Sequence, residues 1–258
     1  MLIGLKSKKM KKKIFTLISV VFLVFACNQD SNDTTSSDSF GDGQGGSLAT
    51  FTLKDNYLYT VDFFNLSVFN VSDLLNPVKV NTINVGFNIE TLFSFKDYLF
   101  IGSQNAMYIY DVTNAELPKL LSQSNHFRAC DPVVANDTNA YVTLHSNATC
   151  GGAINELKTY NIEDIENPIL LNTRGLTQPK GLSLYKDNYL LVCDDTVKIF
   201  DISDPNDSKY IDEIVTTGAI DIIIRDNHAF IISEFTIDQY QLNSTDIANA
   251  TKISTFTF

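Results

Sequence analysis

Apolar residues in this chain fall in short runs separated by clusters of Asp, Asn, Ser, Lys and Pro. The clearest instance lies between Lys186 and Pro205. Lys186-Asp187-Asn188 marks a turn and Tyr189 to Cys193 is an apolar run. Asp194-Asp195 marks a second turn, Val197 to Ile202 is another run, and Ser203-Asp204-Pro205 closes the unit. Short runs of β-branched and aromatic residues between turn clusters predict an antiparallel hairpin.

The unit recurs. An aromatic followed by Asp, Asn or Gln ends the second run at Phe69-Asn70, Tyr110-Asp111, Tyr160-Asn161, Phe200-Asp201 and Tyr240-Gln241. The turn before the first run returns as Lys54-Asp55-Asn56, Lys96-Asp97, Thr138-Asn139 and Arg225-Asp226-Asn227. A period of about forty residues with four short apolar runs in each copy is the pattern of propeller blades. The 3.6-residue spacing of a helical solenoid is not found. The expected fold is therefore all-β: one antiparallel β-propeller of about five four-stranded blades from Ser47 to Phe258. In the fourth copy the strands are expected at Gly181 to Tyr185 (a), Tyr189 to Cys193 (b), Val197 to Ile202 (c) and Lys209 to Ile214 (d). No strand is left over to complete another blade, so the ring is expected to close by packing of one blade on the next.

The first 46 residues read differently. Six lysines between Lys6 and Lys13 precede an apolar segment, Ile14 to Ala26, too short to span a bilayer. Residues 1–26 read as a signal peptide, and Val24-Phe25-Ala26-Cys27 resembles a bacterial lipobox, which implies cleavage before Cys27 and a lipid on its thiol. Residues 27–46, rich in Asp, Ser, Asn, Thr and Gly, read as a flexible tether that buries too little apolar surface to offset its ordering entropy. Asp30 and Asp33 resemble the surface-export signals of Bacteroidota lipoproteins.

Charge narrows the partners. The chain carries a net −11, and removing the six lysines of the leader takes it to −17. Such a domain repels phosphate backbones, so nucleic acid is not an expected partner. A protein or glycan is expected instead.

Leu66-Ser67-Val68-Phe69-Asn70, Met107-Tyr108-Ile109-Tyr110-Asp111 and Val197-Lys198-Ile199-Phe200-Asp201 resemble the LVIVD repeat. Leu157 to Asn161 and Ile237 to Gln241 are looser copies. Cys130 to Val134 and Ala140 to Leu144 also resemble stretches of LVIVD-repeat lipoproteins of Bacteroidota. The resemblance implies a β-propeller and an outer-membrane lipoprotein, and it brings no assigned activity, cofactor or catalytic residue.

Strand order fixes which loops share a face. The starts of the a strands and the b–c hairpins lie together on what we call the hairpin face. The a–b and c–d turns lie on the turn face. The repeated Asp, Asn and Ser of the turn face suit turn chemistry, because these side chains bond their own backbone. The copies differ on the hairpin face, where the third carries extra residues around His145 to Ile154, and a single long loop on a regular scaffold points to function. Glu90, Asp131 and Lys180 align at the a-strand starts, with Asp221 nearby; Arg128 and His145 fall close in sequence to this rim. These six residues form the expected ligand-binding rim, suited to a polar ligand or a cation.

Cys130 and Cys150 fall on the hairpin face in an exported setting and are expected to form a disulfide stabilising by about 3 kcal/mol. Cys193, inside a strand, is expected to be a buried thiol. His-Glu-x-x-His, Gly-x-Ser-x-Gly and phosphate-loop motifs do not occur in the sequence. The expectation is a binding or scaffolding module with no catalytic residue, bound metal or cofactor. The alternative is a carbohydrate-active hydrolase using Glu90 and Asp131 at the propeller mouth.

Overall fold

A computed structural model of the protein describes residues 45–126, 129, 132–146 and 154–258, all within the compact unit Phe40–Phe258. Twenty strands and no helix occur among them. They form five four-stranded antiparallel sheets, each built from four consecutive strands in chain order. Blade 1 comprises β1 (Phe51–Lys54), β2 (Tyr57–Val61), β3 (Asn65–Asn70) and β4 (Val78–Asn84). Blade 2 comprises β5 (Ile89–Phe95), β6 (Tyr98–Ser103), β7 (Ala106–Asp111) and β8 (Lys119–Asn125). Blade 3 follows with β9 (Val133–Ala135), β10 (Asn139–Leu144), β11 (Glu156–Asn161) and β12 (Ile169–Gly175). Blade 4 has β13 (Leu182–Tyr185), β14 (Tyr189–Cys193), β15 (Val197–Asp201) and β16 (Lys209–Ile214). Blade 5 has β17 (Asp221–Arg225), β18 (His228–Ile232), β19 (Thr236–Gln241) and β20 (Thr251–Thr257). The molecule is a five-bladed β-propeller, and the strands of blade 4 fall within a residue of those expected from the sequence.

The repeated turn residues do local work. In each of the first four blades the Asx at the end of the third strand accepts a backbone N–H two residues on: Ser72 to Asn70, Thr113 to Asp111, Glu163 to Asn161 and Ser203 to Asp201, at 2.7–2.9 Å. Asp55, Lys96, Lys186 and Asp226, at the tips of four first-to-second-strand turns, have φ of 51–55°. The repetition therefore builds turns.

A second regularity is invisible in the repeat. In all five blades the register between third and fourth strands slips next to the repeated aromatic, at Val68/Phe69, Ile109/Tyr110, Thr159/Tyr160, Ile199/Phe200 and Gln239/Tyr240. The residue skipped on the outer strand is always aliphatic: Val80, Leu121, Leu171, Ile211 and Ile253. A bulge at this place twists the outer strand and blunts an edge that would otherwise template pairing with another chain.

The core lies between blades. Tyr59, Leu66 and Val68 pack with Leu99, Ile101 and Tyr110 between blades 1 and 2. Phe100, Met107 and Ile109 pack with Ala140, Val142 and Leu144 between blades 2 and 3. Val134, Tyr141 and Leu157 meet Leu190, Val192 and Phe200 between blades 3 and 4, and Leu191, Val197 and Ile199 meet Ile222, Ala229 and Ile231 between blades 4 and 5. Because the inner strands of blades 2, 3 and 4 have a cluster on both faces, they read as continuous apolar runs rather than alternations. Cys193 is a buried free thiol whose pKa burial pushes up, as expected. Cys27, Cys130 and Cys150 lie outside the described residues, and so does the expected disulfide.

Candidate functional site

The first strands of the blades lie side by side, β1 beside β5, β5 beside β9, β9 beside β13 and β13 beside β17, and β5, β9, β13 and β17 line a central channel. A short segment preceding β1 lies across it. Ser47 is 1% exposed; its hydroxyl donates to Asp221 Oδ1 at 3.1 Å and accepts from the Leu182 N–H at 2.8 Å. The Leu48 N–H donates to Asp221 Oδ2 at 3.2 Å, and the Ala49 carbonyl accepts from the Leu92 N–H at 2.7 Å. This strap thus reaches from the inner strands of blades 4 and 5 to that of blade 2. Gly46 is required by close approach: a Cβ there would stand 2.0 Å from the Asp221 carboxylate. Gly45 and Gly46 were expected to end a flexible tether; they are instead packed elements of the channel.

A cavity of about 680 Å³ opens on the turn-face side of the strap. Its walls are Phe93, Phe95, Val134, Leu182, Leu184 and Ile222, with Gly45 and Ser47 contributed by the strap. Its rim is made by first-to-second-strand turns: Lys96, Asn136, Asp137, Thr138, Lys186 and Asp187. Lys96 and Asp137 form an ion pair across the blade 2–blade 3 boundary, and the Lys96 ammonium also lies 5.5 Å from the Phe95 ring centre. The volume and the mix of apolar walls with a few polar rim groups suit a small ligand.

The rim expected from the sequence lies on the other face. Of the six expected rim residues, Arg128 and Asp131 lie outside the described residues. Glu90 accepts a hydrogen bond from Gln104 Nε2 at 3.0 Å, and Gln104 Oε1 accepts from Asn88 Nδ2 at 2.8 Å, so its carboxylate belongs to an amide chain at the hairpin end of blade 2. Lys180 and His145 do come together: His145 is buried, and its pKa is lowered by burial and then by the Lys180 charge. Asp221 is 7% exposed and holds the strap. Burial raises its pKa, opposed by the donors Ile222 N–H, Leu48 N–H and Ser47. The same carboxylate and the Lys180 ammonium both act on the Cys193 thiol, so Lys180, Asp221 and Cys193 are neighbours. Sequence reasoning missed the cavity walls, because Phe93, Leu184 and Ile222 carry the same strand pattern as core residues. It missed the strap because Gly-Gly-Ser reads as linker. Among the described residues no group of three or more His, Cys, Asp or Glu is placed to hold a metal ion.

No known family profile matches the chain, and no curated protein does either. Solved structures do resemble it in fold. The computationally designed Ika8 protein aligns with a TM-score of 0.58 at 11% identity, over 80% of this chain and 60% of that one. A protein from Lactobacillus plantarum aligns with a TM-score of 0.54 at 13% identity, over 80% of this chain and 64% of that one. A functionally unknown protein from Desulfotomaculum acetoxidans aligns with a TM-score of 0.51 at 14% identity, over 79% and 80%. The chain thus spans less than two thirds of the length of the first two. At these identities the likeness shows the fold alone.

Proposed function

We propose that this protein is an exported, lipid-anchored binding module of the LVIVD-repeat kind, and that its ligand site is the channel cavity on the turn face. One observation carries the choice of site: a cavity of about 680 Å³ with apolar walls and a charged rim. The fold fits a binding or scaffolding role, in which a rigid frame presents a site and needs no reacting group. The lipobox-like Val24 to Cys27 supports anchoring through Cys27 in the outer membrane, with a protein or glycan as partner.

Binding tests the first part. The secreted portion of the chain is used to capture glycans and proteins, alongside Leu184→Trp, which narrows the cavity, and a deletion of residues 146–152 between β10 and β11. Capture lost with the first variant and kept with the second supports the cavity; the reverse result moves the site to the hairpin face. Sugar turnover abolished by Glu90→Gln would replace the binding reading with the hydrolase one. Anchoring is tested by labelling cells with a radioactive fatty acid: label on the wild type and none on Cys27→Ala is the expected result, and unlabelled wild type refutes the anchor.

A further inference from the structure

Four of the five blade junctions hold a buried apolar cluster. Among the described residues no such cluster joins blade 5 to blade 1. The face of blade 1 turned away from blade 2 carries Phe51, Leu53, Leu58, Thr60, Ser67 and Phe69, as the pairings within the sheet show. Phe51 is 59% exposed, whereas its counterpart in blade 2, Leu92, is 1% exposed. On blade 5 the free face carries Ile223, Phe230 and Gln239; Phe230 is half-buried where its blade 2 counterpart Phe100 is fully buried. Three positions are also more polar than their blade 2 counterparts: Thr60 stands for Ile101, Ser67 for Tyr108 and Gln239 for Ile109. The end repeats of a stacked array soften their outer faces in this manner. On the blade 1 face Phe51 and Leu53 stand exposed, while Ser67 is buried.

The strap supplies what the seam lacks. It runs directly into β1, and it is pinned to blade 5 through Asp221 and to blade 4 through the Leu182 N–H. Both Gly46 and Gly181 approach Asp221 so closely that a Cβ on either would stand 2.0 Å from its carboxylate. Three segments distant in sequence therefore converge on one buried side chain.

We propose that residues 45–49 are a clasp that fastens blade 1 to blades 4 and 5, with Asp221 as its pin, and that the blade 5–blade 1 seam is the place where this propeller opens. Release of the clasp frees β1 from the channel while the four apolar junctions stay packed, so opening is local. Because Gly45 and Ser47 also wall the cavity, opening the seam opens the cavity from the side. The clasp does not depend on the cavity having a ligand.

Hydrogen exchange read by mass spectrometry on the full chain tests this. Ser47→Ala, Asp221→Asn and Asp221→Ala are compared with the wild type under native conditions. The expected result is faster exchange, by about tenfold for the alanine variants, confined to β1 and β2 and to the blade 5 strands that face the seam, with β6, β7 and β10 unchanged. Asp221→Asn, which keeps one acceptor, should fall between. Should Asp221→Ala fail to fold, Ser47→Ala decides alone, since it removes one hydroxyl. Acceleration spread evenly over all five blades, or none in β1, overturns the proposal.

Discussion

On the turn face the same side chains recur from blade to blade. Asn70, Asp111, Asn161 and Asp201 each cap a turn, and Asp55, Lys96, Lys186 and Asp226 each sit at positive φ. On the hairpin face the blades diverge, although blades 1 and 5 share a three-residue hairpin with an exposed Phe64 or Phe235. Blade 1 presents Phe63 and Phe64 in edge-to-face and tilted contact with each other and with Phe87, ring centres 4.9–5.5 Å apart. Blade 4 presents Asp194 and Asp195, both paired with Lys198 at 2.6 Å, and blade 3 carries the longest loop. Variation drew the sequence reading to the hairpin face, yet the cavity opens among the repeated turns. The channel is crossed by the strap at the depth of Ser47, which leaves a cavity of about 680 Å³ on the side of the regular turns. Irregular sequence marks where loops differ; it does not mark where the chain leaves volume.

The comparison breaks hardest at the cavity wall. Leu182 is fully buried, lines the cavity and belongs to the core between blades 3 and 4. Leu182→Ala should cost about 2–5 kcal/mol in a denaturant titration. Asp195→Ala, which removes the exposed carboxylate from a Lys198 that keeps its pair with Asp194, should cost about 1 kcal/mol or less. Equal costs would mean that the channel wall is not a packed part of the fold.

Next comes narrowing the cavity. Leu184 is half-buried and lines it. Leu184→Trp should destabilise by less than about 1 kcal/mol, because the added ring has open space to enter; forcing it against Phe93 and Val134 would cost about 1–3 kcal/mol. A loss near the upper figure would show the cavity to be smaller than its 680 Å³.

Asp221 gives a smaller, pH-dependent effect. Burial raises its carboxyl above the ordinary range, so between about 3.9 and that raised value the folded chain keeps a proton that the unfolded chain has released. The stability this brings is fully present below the lower limit and is lost as pH rises through the folded value. Asp221→Asn removes that dependence. The unfolding free energy of the variant, measured against the wild type, should therefore shift in its favour as pH climbs through the window and stay constant above it. A difference that is flat from pH 3 upward would contradict a buried, proton-holding Asp221.

Much of this was legible beforehand. The spacing of Phe69-Asn70 and its four successors located the blades, and the run of blade 4 located its strands, because turn chemistry and apolar runs are local properties. The outer-strand bulges were not legible: Val80 and Leu121 look like any strand aliphatic, and only pairing shows them skipped. Asp221 was read as a rim charge because its position aligned with the channel. Its burial depends on Ser47, 174 residues away, and no local pattern reports such a contact. Glycines at 45 and 46 were read through their freedom, when at Gly46 it is the absence of a side chain that the contact requires.

The rim yields the smallest effect. Lys96 and Asp137 are more than half exposed, so a double-mutant cycle of Lys96→Gln and Asp137→Asn should show a coupling below about 1 kcal/mol. A larger coupling would mean that the rim is part of the scaffold rather than a surface free to meet a ligand.

The most direct test of the central claim is a crystallographic fragment screen on residues 45–258, using small molecules with an apolar body and one polar group. The account predicts bound fragments in contact with Phe93, Phe95 and Leu184, oriented with their polar ends toward Lys96, Asp137 or Lys186. Fragments gathered on the hairpin face around Lys180, His145 and Glu90, with the channel cavity empty, would contradict it.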